Sequence, residues 1–390
     1  MMNFENTEHA YKLKSNRELF RALYLFKLIS NHRLVAFLTK FAILAIKFKL
    51  PISFLFKYTV FKQFCSGISE KDSIDEVDRL ASYNVKSYMH YASESQKSEV
   101  GMDESLTKIL DTLKFSSGKS ALQFTVFKAT SLGPIDLFEK VSAGIGLNYE
   151  EKNIWRRVLK RIEVCCKTAK SLNVKIFIDA EESWIQSAID DIAESMMAKF
   201  NTNKAYIFTT IQMYRIDRLA YLKKIIDKAK EKKFLIGVKL VRGAYMEKEN
   251  IRAKNLGISS PICKNKKATD LNFDKALEHI IDKVHICNLF IGSHNEESII
   301  KATKLMNKYK YKNNHPFIWF SQLYGMADHI SFNLALEGYQ VVKYVPFGPV
   351  KEVIPYLIRR AEENTSVSGQ TPRELNLIKK EIRRRKINSV

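Results

Sequence analysis

Residues 174–241 read VKIFIDAEESWIQSAIDDIAESMMAKFNTNKAYIFTTIQMYRIDRLAYLKKIIDKAKEKKFLIGVKLV, and this stretch decides the fold. Its three short apolar or β-rich runs are Val174–Ile178, Ala205–Ile211 and Leu235–Val241. Between the runs, apolar residues recur at helical spacing and predict amphipathic helices over 184–200 and 216–232. A strand followed by a helix, repeated at this pace, indicates parallel strands joined by crossover helices.

The same alternation continues on both sides of this stretch. The further runs are Ala121–Phe127, Leu289–Ile291, Phe317–Phe320 and Val341–Val345, and the further helices are 149–172, 270–285, 296–309 and 351–363. An open doubly wound sheet and a closed (βα)8 barrel both fit this order. Closure is favoured because the region spans about 250 residues, a usual barrel length, and because no G-x-G-x-x-G follows the first run. Seven strands can be placed, so the position of the eighth stays open.

Three regions follow from the change in sequence pattern along the chain. Residues 1–110 are expected to form a helical N-terminal extension, 111–370 the α/β barrel and 371–390 a basic tail. Within the extension, 34–64 is very apolar but interrupted by lysines, so we expect amphipathic helices that cover the core or lie on a membrane surface. For the basic tail we expect a solvated segment, with attraction to an anionic membrane as the alternative.

Composition excludes several classes of protein. The chain has 390 residues, is 46% hydrophobic and carries a net charge of +22, so it can bury a large core. Its lysines and arginines are spread along the chain, which argues against nucleic-acid binding as the main function; a basic membrane- or nucleic-acid-binding protein remains the alternative from another class. Five cysteines without a CxxC pair, and scattered histidines, indicate a reducing compartment and no metal site. Glu5 and Glu8 fit neither a signal nor a transit peptide, so a cytoplasmic location is expected, with peripheral contact to the inner membrane.

The stretch 344–364, YVPFGPVKEVIPYLIRRAEEN, predicts a helix that Pro355 opens. One face of this helix carries an aromatic hydroxyl, two guanidinium groups and a carboxylate, from Tyr356, Arg359, Arg360 and Glu363. Adjacent arginines can hold a carboxylate or phosphate through charge-assisted hydrogen bonds. An ordinary amphipathic helix with a solvated charged face is the alternative interpretation of this stretch.

Polar residues recur where the predicted strands end. They include Lys128, Asp179, Gln212, Lys239, Arg242, Ser293, His294 and Tyr344. Because the carboxyl ends of parallel strands share one edge, these side chains should converge on one mouth. The cations among them, together with the two arginines of the helix, need anionic partners. A small carboxylate and a phosphate-bearing cofactor would supply those partners.

Five motifs in this order resemble the proline dehydrogenase family, most closely its stand-alone form. They are IDAEES (178–183), KLVRGAY (239–245), SHNEES (293–298), FSQLYGMADHIS (320–331) and the 344–364 stretch, and the resemblance covers roughly 115–370. It implies a distorted (βα)8, TIM-like barrel that binds FAD non-covalently. It also implies oxidation of L-proline to Δ1-pyrroline-5-carboxylate by hydride transfer to flavin N5, the first step of proline catabolism to glutamate, with electrons passed to a membrane quinone.

The resemblance also implies roles for individual residues. Arg359 and Arg360 would hold the proline carboxylate with help from Lys128. Tyr344 and Tyr356 would pack on the pyrrolidine ring. Asp179 would hydrogen-bond Tyr344 and organise the pocket floor. The positions expected to contact the flavin or shape its site are Gln212, Lys239, Arg242, Gly243, Tyr245, Ser293, His294 and Glu363.

Three positions depart from patterns within the family. Met246 stands where some bifunctional members place a tryptophan against the adenine, so the sequence leaves adenine stacking open. Lys239 offers a point charge where other members use the fork of an arginine. Tyr344 stands where the related hydroxyproline enzymes carry serine, and its bulk should crowd a 4-hydroxyl group. Proline is therefore the favoured substrate, and hydroxyproline or another cyclic amino acid is the alternative.

Overall fold

The computed structural model describes residues 2–31, 33–35, 38–39, 48, 57–91, 96, 98–366 and 370–386. The side chains of 57–58, 361–366 and 370 are outside this description. Across the described residues, parallel strands close into a barrel in chain order, β1 to β8. The strands are β1 Val85–Tyr91, β2 Leu122–Lys128, β3 Lys175–Asp179, β4 Ile207–Gln212, β5 Ile236–Val241, β6 Cys287–Gly292, β7 Ile318–Leu323 and β8 Val341–Phe347.

Helices alternate with the strands and surround the barrel. Before β1 lie α1 Thr7–Ala10, α2 Asn16–Ile29, the helical turns Lys57–Phe61 and Lys62–Phe64, and α3 Glu70–Ala81. The helices from β1 to β5 are α4 Glu99–Ser116, α5 Ile135–Ser142, α6 Tyr149–Ser171, α7 Ser183–Phe200 and α8 Arg218–Lys232. Those that follow are α9 Met246–Leu256, α10 Lys266–Ile281, α11 Glu296–Lys308, α12 Asp328–Leu336, α13 Val350–Ser366 and α14 Gln370–Arg384.

The eighth strand is β1, which the sequence did not reveal. The seven predicted runs coincide with β2–β8, so the predicted barrel is confirmed. The expectation that residues 1–110 form a helical extension outside the barrel is wrong in one part, because β1 lies at Val85–Tyr91. Its sequence VKSYMHY has a single β-branched residue and no clean alternation. Pairing on both sides, with β2 and β8, buries β1 in spite of its composition.

Aromatic side chains fill the lower half of the barrel. Phe124 and Phe177 stack with ring centroids 5.2 Å apart, and Phe290 meets Phe177 edge-on at 4.6 Å. Phe208 and Trp319 pack against Phe124. Such offset and edge-to-face pairs add stability beyond the area they bury. This aromatic layer fills the barrel below the carboxyl ends of the strands.

The C-terminal segment is an ordered helix, and the prediction of a solvated tail is wrong. In α14, Leu377 and Ile378 are buried, and the helix packs on α2. Lys379 and Arg383 lie on its exposed side. The apolar stripe, which the basic cluster obscures in the sequence, explains why the helix docks. Most of 34–64 lies outside the described residues, so the amphipathic helices expected there stay a prediction.

Within the described part of the chain, no helix combines the length and the apolar character needed to cross a membrane.

Pro355 lies inside a helix, where we expected it to open one. Helix α13 begins at Val350, since the carbonyl of Pro349 already accepts hydrogen bonds from the amides of Glu352 and Val353, at 2.9 and 3.2 Å. Pro355 has no N–H, so the carbonyl one turn earlier loses its helical donor. The first turn of α13 therefore forms upstream of the proline.

Candidate functional site

A cavity of about 290 Å³ opens at the carboxyl ends of the strands. All the predicted site residues line it except Glu363, whose side chain is outside the described part of α13. The predicted convergence of strand ends on one mouth is therefore confirmed. What each residue does there stays a prediction.

Asp179 is the central acceptor on the floor of the cavity. Its carboxylate pairs with the Lys239 ammonium group and accepts a hydrogen bond from the Thr210 hydroxyl at 2.9 Å. Burial would raise the pKa of Asp179, but Lys239 outweighs it and holds that pKa below the ordinary value. The ammonium group of Lys239 also lies 4.9 Å from the ring centroid of Phe177. The floor is thus an ionised, oriented pair above the aromatic layer.

Tyr344 hydrogen-bonds His90, and the prediction that Asp179 would be its partner is wrong. The Tyr344 hydroxyl lies 2.5 Å from Nδ1 of His90. The reason is topological: β8 neighbours β1, with Tyr344 in register with Tyr88, whereas Asp179 ends β3. The ring of Tyr344 packs against Tyr88 at 5.1 Å.

His90 is held in its neutral form. Burial lowers its pKa to about 3, and the cations Lys128, Lys239 and Arg359 add to this effect against the opposing charge of Asp179. Burial also raises the pKa of Tyr344 well above its ordinary value. The neutral His90 ring and the Tyr344 hydroxyl therefore share one hydrogen bond, whose donor is set by the histidine tautomer.

Arg242 is fixed by the protein in three directions. Its Nε donates to Asp270 at 2.7 Å, and its terminal nitrogens donate to Ser293 at 2.7 Å and Ser298 at 2.9 Å. The guanidinium lies 4.5 Å from the ring centroid of Phe273. We expected the cations of the mouth to be satisfied by ligands. The protein itself supplies acidic partners for two of them, because Asp270 pairs with Arg242 as Asp179 pairs with Lys239.

The rim opposite the arginine helix is built from oriented amides and a neutral histidine. Gln212 donates to the carbonyl of Glu181 at 2.8 Å and accepts from the amide of Ala244 at 3.2 Å. Nε2 of His294 accepts from the amide of Leu323 at 3.0 Å. Burial lowers the pKa of His294 to about 3, with nearby cations adding to it, so this nitrogen stays unprotonated.

Gly243 allows the chain to turn sharply after β5. Its φ of +136° is rarely adopted by L side chains, and an added Cβ would lie 1.9 Å from the Tyr214 ring. The turn brings Tyr245 back to the cavity wall, where Tyr245 is buried.

Helix α13 closes the cavity beside β8. The Arg360 guanidinium lies 5.2 Å from the ring centroid of Tyr356, and Tyr356 packs against Tyr344 at 5.9 Å. Among the described lining residues, five carry a positive charge and one, Asp179, a negative charge. Such a cavity can bind a small anion beside an apolar ring, since its cations exceed its carboxylates.

Sequence reasoning missed the part of the site that β1 supplies. Tyr88 and His90 line the cavity, and both belong to the strand that could not be placed. The signal was present, because His90 stands one residue before the end of β1. Thr210 lies on β4, two residues before Gln212. It was missed for a different reason, because it stands within a run that was interpreted as apolar.

Comparison with known proteins gives consistent matches. A family model described as proline dehydrogenase matches residues 73–373. Proline dehydrogenase 1, mitochondrial, of Dictyostelium discoideum is 31% identical over 97% of this chain and 74% of its own length. Hydroxyproline dehydrogenase of Xenopus laevis is 30% identical over 97% of this chain and 89% of its length. Among solved structures, proline utilization A from Bdellovibrio bacteriovorus shares the fold with a TM-score of 0.72 at 19% identity. That match covers 93% of this chain and 38% of the other.

Proposed function

This chain belongs to the proline dehydrogenase family of oxidoreductases, and we propose that it oxidises L-proline to Δ1-pyrroline-5-carboxylate with non-covalently bound FAD. We further propose that a membrane quinone takes the electrons. The observation that carries the proposal is the meeting of Arg359 and Arg360 with Tyr344 and Tyr356 around one cavity. A carboxylate next to a small saturated ring matches that set of groups.

The side chains present fit a flavin. Gln212, Lys239, Arg242 and Ser293 line the cavity, and each is already held in place by protein contacts. Donors fixed in advance need no reorganisation when a polar ring edge arrives. When bound, FAD supplies the acceptor for the hydride that leaves the ring carbon beside the substrate nitrogen. Met246 is exposed, at 43% of its surface, and we assign it no part in holding the adenine.

The protein contributes orientation and charge. Arg359, Arg360 and Lys128 hold the substrate carboxylate, while Tyr344 and Tyr356 fix the pyrrolidine ring between them. Orientation of this kind can lower a barrier by several kcal/mol, of the roughly 7–11 kcal/mol available to positioning. The excess of cations lowers the pKa of the substrate ammonium group by like-charge proximity. That favours the neutral amine, which is the form able to give up hydride.

A 4-hydroxylated substrate is the alternative. A relative of this chain is named hydroxyproline dehydrogenase, and the barrel is compatible with either ring. Tyr344 is packed against Tyr88 and Tyr356 and bonded to His90, so its ring cannot easily move aside. We therefore favour proline, since a 4-hydroxyl group would need the space that this ring occupies.

The visible absorption spectrum of the purified protein tests the proposal. We expect a yellow protein whose flavin absorbance bleaches when L-proline is added without oxygen. A colourless protein that takes up no added FAD would overturn the cofactor assignment. A yellow protein bleached by hydroxyproline and not by proline would support the alternative.

For the electron acceptor, we propose peripheral contact between a cytoplasmic enzyme and the inner membrane. The exposed lysines and arginines of α14 support this, because each basic residue near an anionic surface adds about 1 kcal/mol of attraction. Flotation with anionic liposomes, with and without proline, measures the contact. Equal flotation with neutral and anionic lipid would argue against an electrostatic contact.

A further inference from the structure

A short loop over 324–327 joins β7 to α12 and forms part of the cavity wall. Met326 of this β7–α12 loop lines the cavity, as does Leu323 at the end of β7. Met326 is buried and belongs to the same apolar cluster as Tyr344 and Tyr356. In the proposed function those two tyrosines hold the substrate ring. The position of Met326 therefore affects how tightly that ring is enclosed.

The backbone of the β7–α12 loop has a conformation that L residues rarely adopt. Ala327, the residue before α12, has a φ of +49°. A residue other than glycine in this left-handed region costs about 1–2 kcal/mol. Such strain persists only where the surrounding structure holds it. Because Met326 is the preceding residue, the contacts that hold Ala327 also hold Met326.

Helix α14 supplies a group that holds Ala327. The Glu374 carboxylate accepts a hydrogen bond from the amide of Ala327, and both residues are buried. The second oxygen of Glu374 lies 3.5 Å from the Tyr11 hydroxyl, so the carboxylate is oriented from two sides. Loss of this acceptor would leave a buried amide unsatisfied, at a cost of about 1–3 kcal/mol. The loop would then relax toward an unstrained conformation.

Other contacts hold the carbonyl groups of the same loop. Lys343 on β8 donates to the carbonyl of Met326, and Gln63 donates to the carbonyl of Gly325 at 2.8 Å. These bonds do not involve Glu374, so they remain when Glu374 is replaced. We therefore expect a change at Glu374 to shift the loop locally and to leave the barrel folded.

We propose that Glu374 is a positioning residue for the oxidation, because its bond to the Ala327 amide holds Met326 against the substrate ring. This inference rests on the proposed function, since it concerns the wall of the same site. It gives α14, which lies outside the barrel, a part in the reaction in addition to its packing on α2.

Two replacements of Glu374 separate the reach of the side chain from its charge. Glu374→Gln removes the charge but keeps an oxygen at the same distance, so the bond to the Ala327 amide should remain. Glu374→Asp keeps the charge but withdraws the carboxylate by one methylene, so the bond should break. We expect kcat/KM for proline to fall about tenfold or more in Glu374→Asp, since a small misplacement can cost up to about a hundredfold. In Glu374→Gln it should stay within about twofold of the native value.

Glu381 provides a matched control on the same helix. It lies about two helical turns from Glu374, is buried, and pairs with Arg384 and Arg385 at 2.8 and 2.7 Å. Glu381→Asp should lower the Tm, because it weakens contacts that dock α14. Its kcat/KM should stay close to the native value. An equal loss of kcat/KM in Glu381→Asp and Glu374→Asp would mean that docking of α14 alone matters, and would overturn the proposal.

Two measurements supply readouts apart from turnover. Cyclopentanecarboxylate has a five-membered ring and a carboxylate but no nitrogen to oxidise. Its dissociation constant should rise in Glu374→Asp and in Met326→Ala, and the double variant should bind it little more weakly than either, since both changes act on one contact. Hydrogen exchange of the backbone amides in 324–328 should quicken in Glu374→Asp but not in Glu381→Asp.

The outcomes separate this proposal from the proposed function. If proline does not bleach the native protein, the proposed function fails and this inference fails with it. If the native protein is bleached but Glu374→Asp keeps the native kcat/KM and ligand affinity, the positioning role is wrong and the function stands. The role is also wrong if Met326→Ala binds the ligand normally, or if Glu374→Gln is impaired as severely as Glu374→Asp.

Discussion

In the proposed function, substrate recognition depends most on the adjacent arginines of α13. Replacing Arg360 by methionine keeps the length of the side chain but removes its charged hydrogen bonds. Such bonds contribute about 1.5–3 kcal/mol, so we expect the KM for proline to rise about ten- to hundredfold. Bound flavin should be retained. Arg383→Met, on the exposed side of α14, is the control, and normal proline kinetics in Arg360→Met would contradict the carboxylate clamp.

In the proposed function, Tyr344 sets the size of the substrate ring that fits. In Tyr344→Ser, space appears beside the pyrrolidine carbons, so use of 4-hydroxyproline relative to proline should rise about tenfold, a typical effect for one group in a pocket. Tyr344→Phe keeps the bulk and loses only the bond to His90, so its substrate ratio should stay close to the native one. Competition kinetics with both substrates measure the ratio. Equal ratios in all three proteins would refute the steric argument.

Gly243 is restricted both by its backbone angle and by its neighbour. Gly243→Ala must move Tyr214, because the added Cβ would lie 1.9 Å from that ring. Gly257 also has a positive φ, of +64°, but no atom within 4 Å of an added Cβ. Gly257→Ala should therefore cost only the backbone strain of about 1–2 kcal/mol, and Gly243→Ala distinctly more. Thermal unfolding compares them, and a smaller loss in Gly243→Ala would contradict this account.

The sequence predicts which side chains line the cavity. It does not predict which of them form hydrogen bonds with one another. Strand-end position alone identified Lys128, Asp179 and Tyr344 as neighbours of one cavity. Assigning Asp179 to Tyr344 failed because hydrogen-bond partners depend on strand order around the barrel. With β1 unplaced, His90 was not available as a candidate partner.

An ion pair between Glu296 and Arg373 links α11 to α14. We expect its contribution to the stability of the protein to fall at low pH. Glu296 on α11 accepts from Nε of Arg373 at 2.7 Å and lies 3.1 Å from Nε2 of His329. Burial would raise the pKa of Glu296, but these partners lower it to about 2. The unfolded value is about 4.3. The stability that this carboxylate adds is therefore complete above the unfolded pKa and is lost as the pH falls toward the folded one.

Glu296→Gln isolates this contribution. The native protein should have the higher Tm at about pH 6, and the gap should close as the pH approaches about 2. Glu297→Gln, at the exposed neighbouring position, should show little effect at either pH. A gap in Tm that stays constant with pH would mean that Glu296 acts through packing alone.

Elements with a strong pattern could be predicted from the sequence, and weakly patterned ones could not. The runs that became β4 and β5 are rich in the β-branched residues Ile, Thr and Val, so composition and burial agree. In β1, burial comes from neighbours that are distant in sequence, and α14 hides its apolar stripe among basic residues. Local composition cannot report a partner elsewhere in the chain.

The whole molecule is stabilised where its N-terminal and C-terminal segments meet. Helix α14 covers α2, and Arg385 donates to the carbonyls of Tyr11 and Lys14, both at 2.8 Å. Removing residues 370–390 would uncover apolar side chains such as Phe26. We expect a lower Tm and aggregation on heating, whereas loss of a solvated tail would change neither. Lys379→Ala with Arg383→Ala, which alters only exposed charges, is the control for charge.

Closure between β1 and β8 also has a consequence for biosynthesis. On the ribosome, β1 emerges early but gains its second neighbour only after β8 has been made, and at about 5–20 residues per second that interval is on the order of tens of seconds. Throughout it, the nascent chain presents an unpaired strand edge, which is a template for pairing with other chains. Overexpressed protein should therefore depend on a chaperone that binds nascent chains at the ribosome. Hosts that translate more slowly should yield more inclusion bodies unless such a chaperone is supplied.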